Sequence, residues 1–134
     1  MFRVSCRANF TFCNVGTCAL EILKELPEVD VIIVPCGGGG LLSGTCVAAD
    51  KFAYKNDSKD QTRDNVGRRI GVVGAEPSGA DDCYRGLSQG QVVPSIAPTT
   101  LCDGLRTSLG ELTWSVISSS VDAVVTVCDN QGHL

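Results

Sequence analysis

With 134 residues, 43% of them hydrophobic and 19% charged, the chain has the length and composition of one domain with a buried core, not of a disordered tail. Its net charge of −4 includes no basic stripe, and the densest positive pair, Arg68–Arg69, sits near Asp57, Asp60 and Asp64, which argues against nucleic acid as a partner. The longest apolar run, Val31 to Pro35, is far too short to span a membrane.

Met1 to Phe12 carries Arg3 and Arg7 but no sustained apolar stretch, so it does not read as a secretory signal and has no clear role. From Thr17 to Leu26, Ala19, Ile22, Leu23 and Leu26 fall at helical spacing, with Glu21, Lys24 and Glu25 on the other side and Pro27 as the stop. Val29 to Pro35 is a β-branched run that reads as a strand buried on both faces. A glycine run at 37–40 follows, and Leu41 to Ala53 is expected to be helical. Tyr54 to Arg69 is polar and aperiodic, and reads as an exposed insertion.

Ile70 to Ala75 forms the second expected strand, ending at Glu76-Pro77. A short helix is expected over Ala80 to Leu87, closed by Gly90, then a proline-containing loop over Gln91 to Thr100. Glu111 to Ser119 reads as a helix and Ala123 to Val127 as a third strand. Strands alternating with helices predict a three-layer α/β fold with a mainly parallel sheet.

The eight cysteines form no CxxC pair and the only histidine is His133, so their spacing offers no zinc framework. Most stand where Val, Ala or Ile would suit the pattern, as Cys36 and Cys128 do, and they read as buried reduced thiols in the cytosol.

Gly37, Gly38, Gly39 and Gly40 are the most informative feature. Glycines let several N–H groups turn into one concavity and let a ligand approach without a Cβ in the way. The helix that follows adds unpaired N–H groups and its positive dipole end, making a site for a phosphate dianion. No Lys-Ser/Thr follows, so this is not a Walker A loop. The G-x-G-x-x-G spacing also fails, because the third positions are Leu42 and Ser43. The plainer alternative is a flexible turn with incidental glycines.

The segment Val34-Pro35-Cys36-Gly37-Gly38-Gly39-Gly40-Leu41-Leu42-Ser43-Gly44 resembles the cofactor-phosphate loop of the serine racemase and serine/threonine dehydratase family. The likeness continues in Gly16-Thr17 with Ala19-Leu20-Glu21-Ile22, in Ala75 to Tyr84, and in Asp103 to Trp114, all in the family's order between Gly16 and Asp129. These are fold-type II pyridoxal-phosphate enzymes. The resemblance therefore implies part of the larger domain of that tryptophan synthase beta-like fold.

Residue by residue, it implies that Gly37 to Gly40, with Leu41 at the helix start, hold the phosphate of pyridoxal 5'-phosphate. It implies that the Glu76 carboxylate, the Ala80 carbonyl and the Asp82 carboxylate bind Mg2+ or Ca2+, hard cations that prefer oxygen. The alternative is that Asp81 and Asp82 only place negative charge at a helix N-terminus. Asp103 and Gly104 match a loop lining cofactor and substrate, although Asp103 could equally cap a turn. Arg106 reads as a structural ion-pair partner.

The implied activity is racemisation or dehydration of serine or threonine, in a cytoplasmic homodimer, through a carbanion at the substrate Cα, with the cofactor held as a Schiff base on a lysine. The family's Schiff-base lysine and opposite-face serine lie in N-terminal segments that match nothing here, and Lys24, Lys51, Lys55 and Lys59 fit no such motif. No catalytic residue is therefore assigned. Residues 1–15 and 130–134 depart from the family, Val15 stands where glutamine is usual, and 54–69 is an insertion. Residues 1–134 are thus expected to form one partial cofactor-binding domain, inactive alone. The alternative function is a non-catalytic phosphate- and metal-binding remnant, or a regulatory partner of a full-length relative.

Overall fold

The computed structural model describes residues 15–56 and 69–129, with residues 52–56 as helical backbone only. The elements run α1 (Thr17–Glu25), β1 (Val31–Pro35), α2 (Gly40–Asn56), β2 (Gly71–Pro77), α3 (Asp82–Gln89), a 3-10 turn (Asp103–Leu105), α4 (Glu111–Ser120) and β3 (Ala123–Val127). Helix α2 takes in Tyr54 to Asn56, which the sequence assigned to the insertion; the rest of that insertion up to Arg68, and both divergent ends except Val15, lie outside the described residues.

All three strands are parallel, in the order β1-β2-β3. Val31 to Pro35 pair with Gly71 to Ala75, and Val73 to Pro77 pair with Ala123 to Val127. Each crossover carries a helix, as parallel neighbours require. The entry to β3 is fixed by Asp122, whose N–H donates to the Val72 carbonyl at 2.9 Å while its carboxylate accepts from the Val72 N–H at 2.8 Å.

One face of the sheet supplies the core. Ile32 and Val34 of β1, Val72 of β2 and Val124 of β3 pack with Leu23 of α1, Leu42, Cys46 and Ala49 of α2, Cys83 of α3 and Ile117 of α4. The alternate residues face outward: Val31 is 52% exposed, Ile33 67% and Val127 57%. The expectation that β1 is buried on both faces is corrected accordingly. Its apolar composition suits two covers, but Val31 and Ile33 remain exposed among the described residues.

Helix α2 sits close to the sheet because Gly74 presents no side chain. A Cβ there would lie 2.8 Å from Leu42 Cδ2 and 3.0 Å from Val124 Cγ2. Gly74→Ala is therefore expected to lower the urea-denaturation stability by about 1–3 kcal/mol, the usual cost of overpacking a core.

Candidate functional site

The carboxyl ends of the three strands meet at one end of the sheet, where open α/β proteins place their ligands. Here β1 runs into the glycine loop, and the Cys36 N–H extends the ladder by one bond, 2.9 Å to the Ala75 carbonyl. Gly39 has φ +82°, and a Cβ there would strike Leu109 Cδ1 at 2.6 Å, with Ile117 Cδ1 and Thr113 Oγ1 both at 2.8 Å. A Cβ on Gly37 would crowd the Gly104 carbonyl and Thr107 Oγ1, each at 3.1 Å.

The loop is clamped from behind. The Gly38 carbonyl accepts from Thr113 Oγ1 at 2.8 Å and from the Gly110 N–H at 3.3 Å. Gly40 differs, since a Cβ there would meet nothing within 4 Å. The Ser43 N–H closes the first turn of α2 on the Gly39 carbonyl at 2.9 Å, so the preceding N–H groups have no intrahelical acceptor. A buttressed back and an open front at a helix start form the kind of cradle a phosphate fits. Thr113 and Leu109, which hold this loop, were not singled out from sequence, because nothing local marks a clamp across so many residues.

Gly104 lies against the loop through Gly37, but the neighbouring Asp103 side chain is 92% exposed and stands 3.5 Å from the Arg106 guanidinium. Such an exposed pair contributes little. Arg106 also donates from Nε and Nη2 to the Thr100 carbonyl, at 3.1 and 2.6 Å, which anchors the loop before the 3-10 turn. A cavity of about 350 Å³ opens at the strand ends between Pro35, Ala75, Glu76, Val127 and the Leu101 and Leu105 side chains.

Glu76, Ala80 and Asp82 are all buried, at 1%, 3% and 1% exposure. The Glu76 carboxylate accepts from the Cys83 N–H at 3.1 Å and from the Tyr84 N–H at 2.9 Å, so it caps α3 from the end of β2. Asp82 Oδ2 accepts from the Leu109 N–H at 2.7 Å. Burial pushes the Glu76 carboxyl up to about 7; the nearby Asp82 and Asp81 charges add to this, and the two N–H donors oppose it. Asp81 is paired with Arg85 at 2.7 Å, whereas none of the ion pairs among the described residues reaches Glu76 or Asp82. Two neighbouring buried carboxylates without a cationic side chain suit a divalent cation.

The cysteines divide. Cys36, Cys46 and Cys83 are buried and free, whereas Cys18, Cys102 and Cys128 are exposed and free. The expectation of a buried Cys128 is thus corrected: it follows β3 at the open end of the sheet. Burial pushes the Cys46 thiol up to about 12, and the neighbouring Cys83 thiol, together with burial, drives Cys36 far higher, so both stay protonated.

A parallel sheet with a glycine loop and helix start at its carboxyl edge defines an α/β domain whose strand ends have room for a phosphate group. Residues 5–133 match the family described as pyridoxal-phosphate dependent enzyme, and the chain belongs to that family. It is 39% identical over 120 residues to a serine racemase of Oryza sativa subsp. indica, covering 90% of this chain and 31% of that protein. The structure of maize serine racemase superposes with a TM-score of 0.75 at 38% identity, over 88% of this chain and 33% of the maize chain. A threonine deaminase from T.th. gives a TM-score of 0.73 at 31% identity, over 88% of this chain and 40% of the deaminase. The chain thus spans about a third of the length of the curated relatives it matches. These neighbours are fold-type II enzymes, and they fix the fold class of this domain.

Because the folded state raises the Glu76 pKa above its ordinary 4.5, the native chain binds that proton more tightly than the unfolded chain does. Its contribution to stability is fully present below about 4.5 and is lost as pH rises through about 7. In metal-free buffer, urea-denaturation stability should therefore fall between about pH 5 and 8, by at most about 3 kcal/mol, and Glu76→Gln should flatten that slope.

Proposed function

We propose that this chain supplies the phosphate-binding loop and a divalent-cation site of a pyridoxal-phosphate enzyme that racemises or deaminates serine or threonine. The observation that carries this reading is the glycine loop, held rigid at Gly38 and Gly39 and open at Gly40. Similarity to serine racemases and to threonine deaminase supports the substrate class and leaves the two reactions as branches of one chemistry.

Gly37 to Gly40 would hold the phosphate of pyridoxal 5'-phosphate with backbone N–H groups, and Leu41 would contribute at the start of α2, whose dipole favours the dianion. When bound, the cofactor supplies an electron sink for negative charge at the amino-acid Cα. Gly104, packed on Gly37, and the adjacent Asp103 would border it. Glu76, Ala80 and Asp82 would take Mg2+ or Ca2+, tying β2 to α3.

The reactive lysine and the residue exchanging protons on the opposite face would come from polypeptide outside residues 1–134. Lys24 and Lys51 occupy exposed helix positions and do not take that role. In the whole protein the same resemblance supports a cytoplasmic homodimer.

Gly40→Ala separates binding from folding. It should leave the melting curve unchanged but weaken pyridoxal phosphate binding, read by equilibrium dialysis, about tenfold or more, since the new Cβ enters only the open front. Gly39→Ala should lose both. Full binding by Gly40→Ala would overturn the phosphate assignment. Mg2+ at about 100 times its Kd should stabilise the chain by ~2.7 kcal/mol in thermal melts, and Glu76→Ala should abolish the shift. An equal shift in both proteins would remove Glu76 from the cation site.

A further inference from the structure

Cysteine spacing pointed away from a zinc framework, but the fold assembles donors that spacing does not show. Cys36 follows β1, Glu76 lies near the end of β2, and Cys83 is in the first turn of α3. The two sulfurs and a Glu76 carboxylate oxygen all lie within 4.8 Å of one another, and each residue is at most 1% exposed. The backbone around them is already fixed. The Cys36 N–H is bonded to the Ala75 carbonyl, and the Cys83 N–H to the Glu76 carboxylate.

We propose that Cys36, Glu76 and Cys83 form a binding site for a thiophilic divalent cation of the zinc class. Zn–S bonds of ~2.3 Å and Zn–O bonds of ~2.0–2.2 Å hold tetrahedral donors roughly 3.3–3.8 Å apart, which these side chains reach by movements of about an ångström. Two sulfurs and one oxygen leave a fourth position for water. The donor set selects against Mg2+ and Ca2+, which require an oxygen shell. On binding, each thiol gives its proton to solvent and coordinates as thiolate, and no electrons are transferred. Glu76 lines the cavity at the strand ends, which gives the ion an entry path.

The site would join the base of the glycine loop to the first turn of α3. Because Glu76 is also a ligand in the hard-cation reading above, a bound zinc-class ion would exclude Mg2+; that consequence rests on the earlier reading, whereas the thiolate site does not.

The test is a Cd2+ titration of the reduced full chain, followed by sulfur-to-metal charge-transfer absorbance and by elemental analysis after dialysis. One equivalent should bind with a thiolate band. Cys36→Val and Cys83→Ala should each weaken binding by more than the ~10–100-fold that loss of an outer-shell partner brings, while Cys18→Ser and Cys102→Ser change nothing. An undiminished band in a folded Cys36→Val protein would overturn the proposal. If the variants do not fold, X-ray absorption of the Zn2+-loaded unsubstituted chain decides it. Two sulfurs in the first shell support the site; none, or four, sink it. Cd2+ binding that leaves the Mg2+ stabilisation untouched would keep the thiolate site and refute the shared-Glu76 reading instead.

Discussion

The buried carboxylate of Glu76 organises the functional end of the molecule. It receives the first free N–H groups of α3, from Cys83 and Tyr84, and so fixes where that helix starts. The helix start places Asp82, which in turn receives the Leu109 N–H. Leu109 packs where a Cβ on Gly39 would be, and the next residue, Gly110, donates to the Gly38 carbonyl. A continuous path of hydrogen bonds and packing thus runs from the end of β2, through α3, to the back of the glycine loop. The carboxylates and the glycine loop belong to one assembly, and a change in the charge of one bears on the shape of the other.

How much of this was legible in the sequence follows from the range of each contact. Helix α1, the three strands and the glycine loop depend on neighbours a few residues apart, and their pattern was plain in apolar spacing, Pro27 and the glycine run. The clamp of Thr113 on Gly38 joins residues 75 apart, and the Asp82 bond to Leu109 joins residues 27 apart. No local pattern marks such bonds. Sequence put Asp81 and Asp82 at a helix start by pattern and offered Glu76 and Asp82 as metal ligands only through resemblance, and it held no sign that Cys36 and Cys83 would meet. It erred where composition was taken for environment: β1 has the residues of a doubly covered strand, yet Val31 and Ile33 face outward.

That outward face bears on the energetics of the whole domain. Parallel strands are ordinarily covered on both sides, and burying each side chain such as Ile33 or Val127 is worth roughly 1.5–3 kcal/mol. With Val31, Ile33, Val125 and Val127 exposed together, the sheet gives up that stabilisation on one side and presents a patch that favours association. The core on the other face is well filled, and among the described residues no buried polar side-chain atom lacks a hydrogen-bond partner. The domain is therefore well determined on its helical side, while its other side depends on whatever comes to cover it.

The charge distribution at the strand ends carries the same asymmetry into chemistry. Burying a carboxylate costs several kcal/mol unless something neutralises it. At Glu76 two N–H dipoles offset part of that cost, and Asp82 beside it works in the opposite sense. What remains can be met by a proton or by a cation. With its carboxyl pushed up to about 7 by burial, Glu76 holds a proton below that pH, and any metal taking oxygen from it would have to displace that proton. Any cation taken up at Glu76 would consequently bind more tightly as pH rises across the neutral range, where the buried charge is also least favourable to the fold. The unfavourable burial of charge and the proposed cation site are two descriptions of one arrangement.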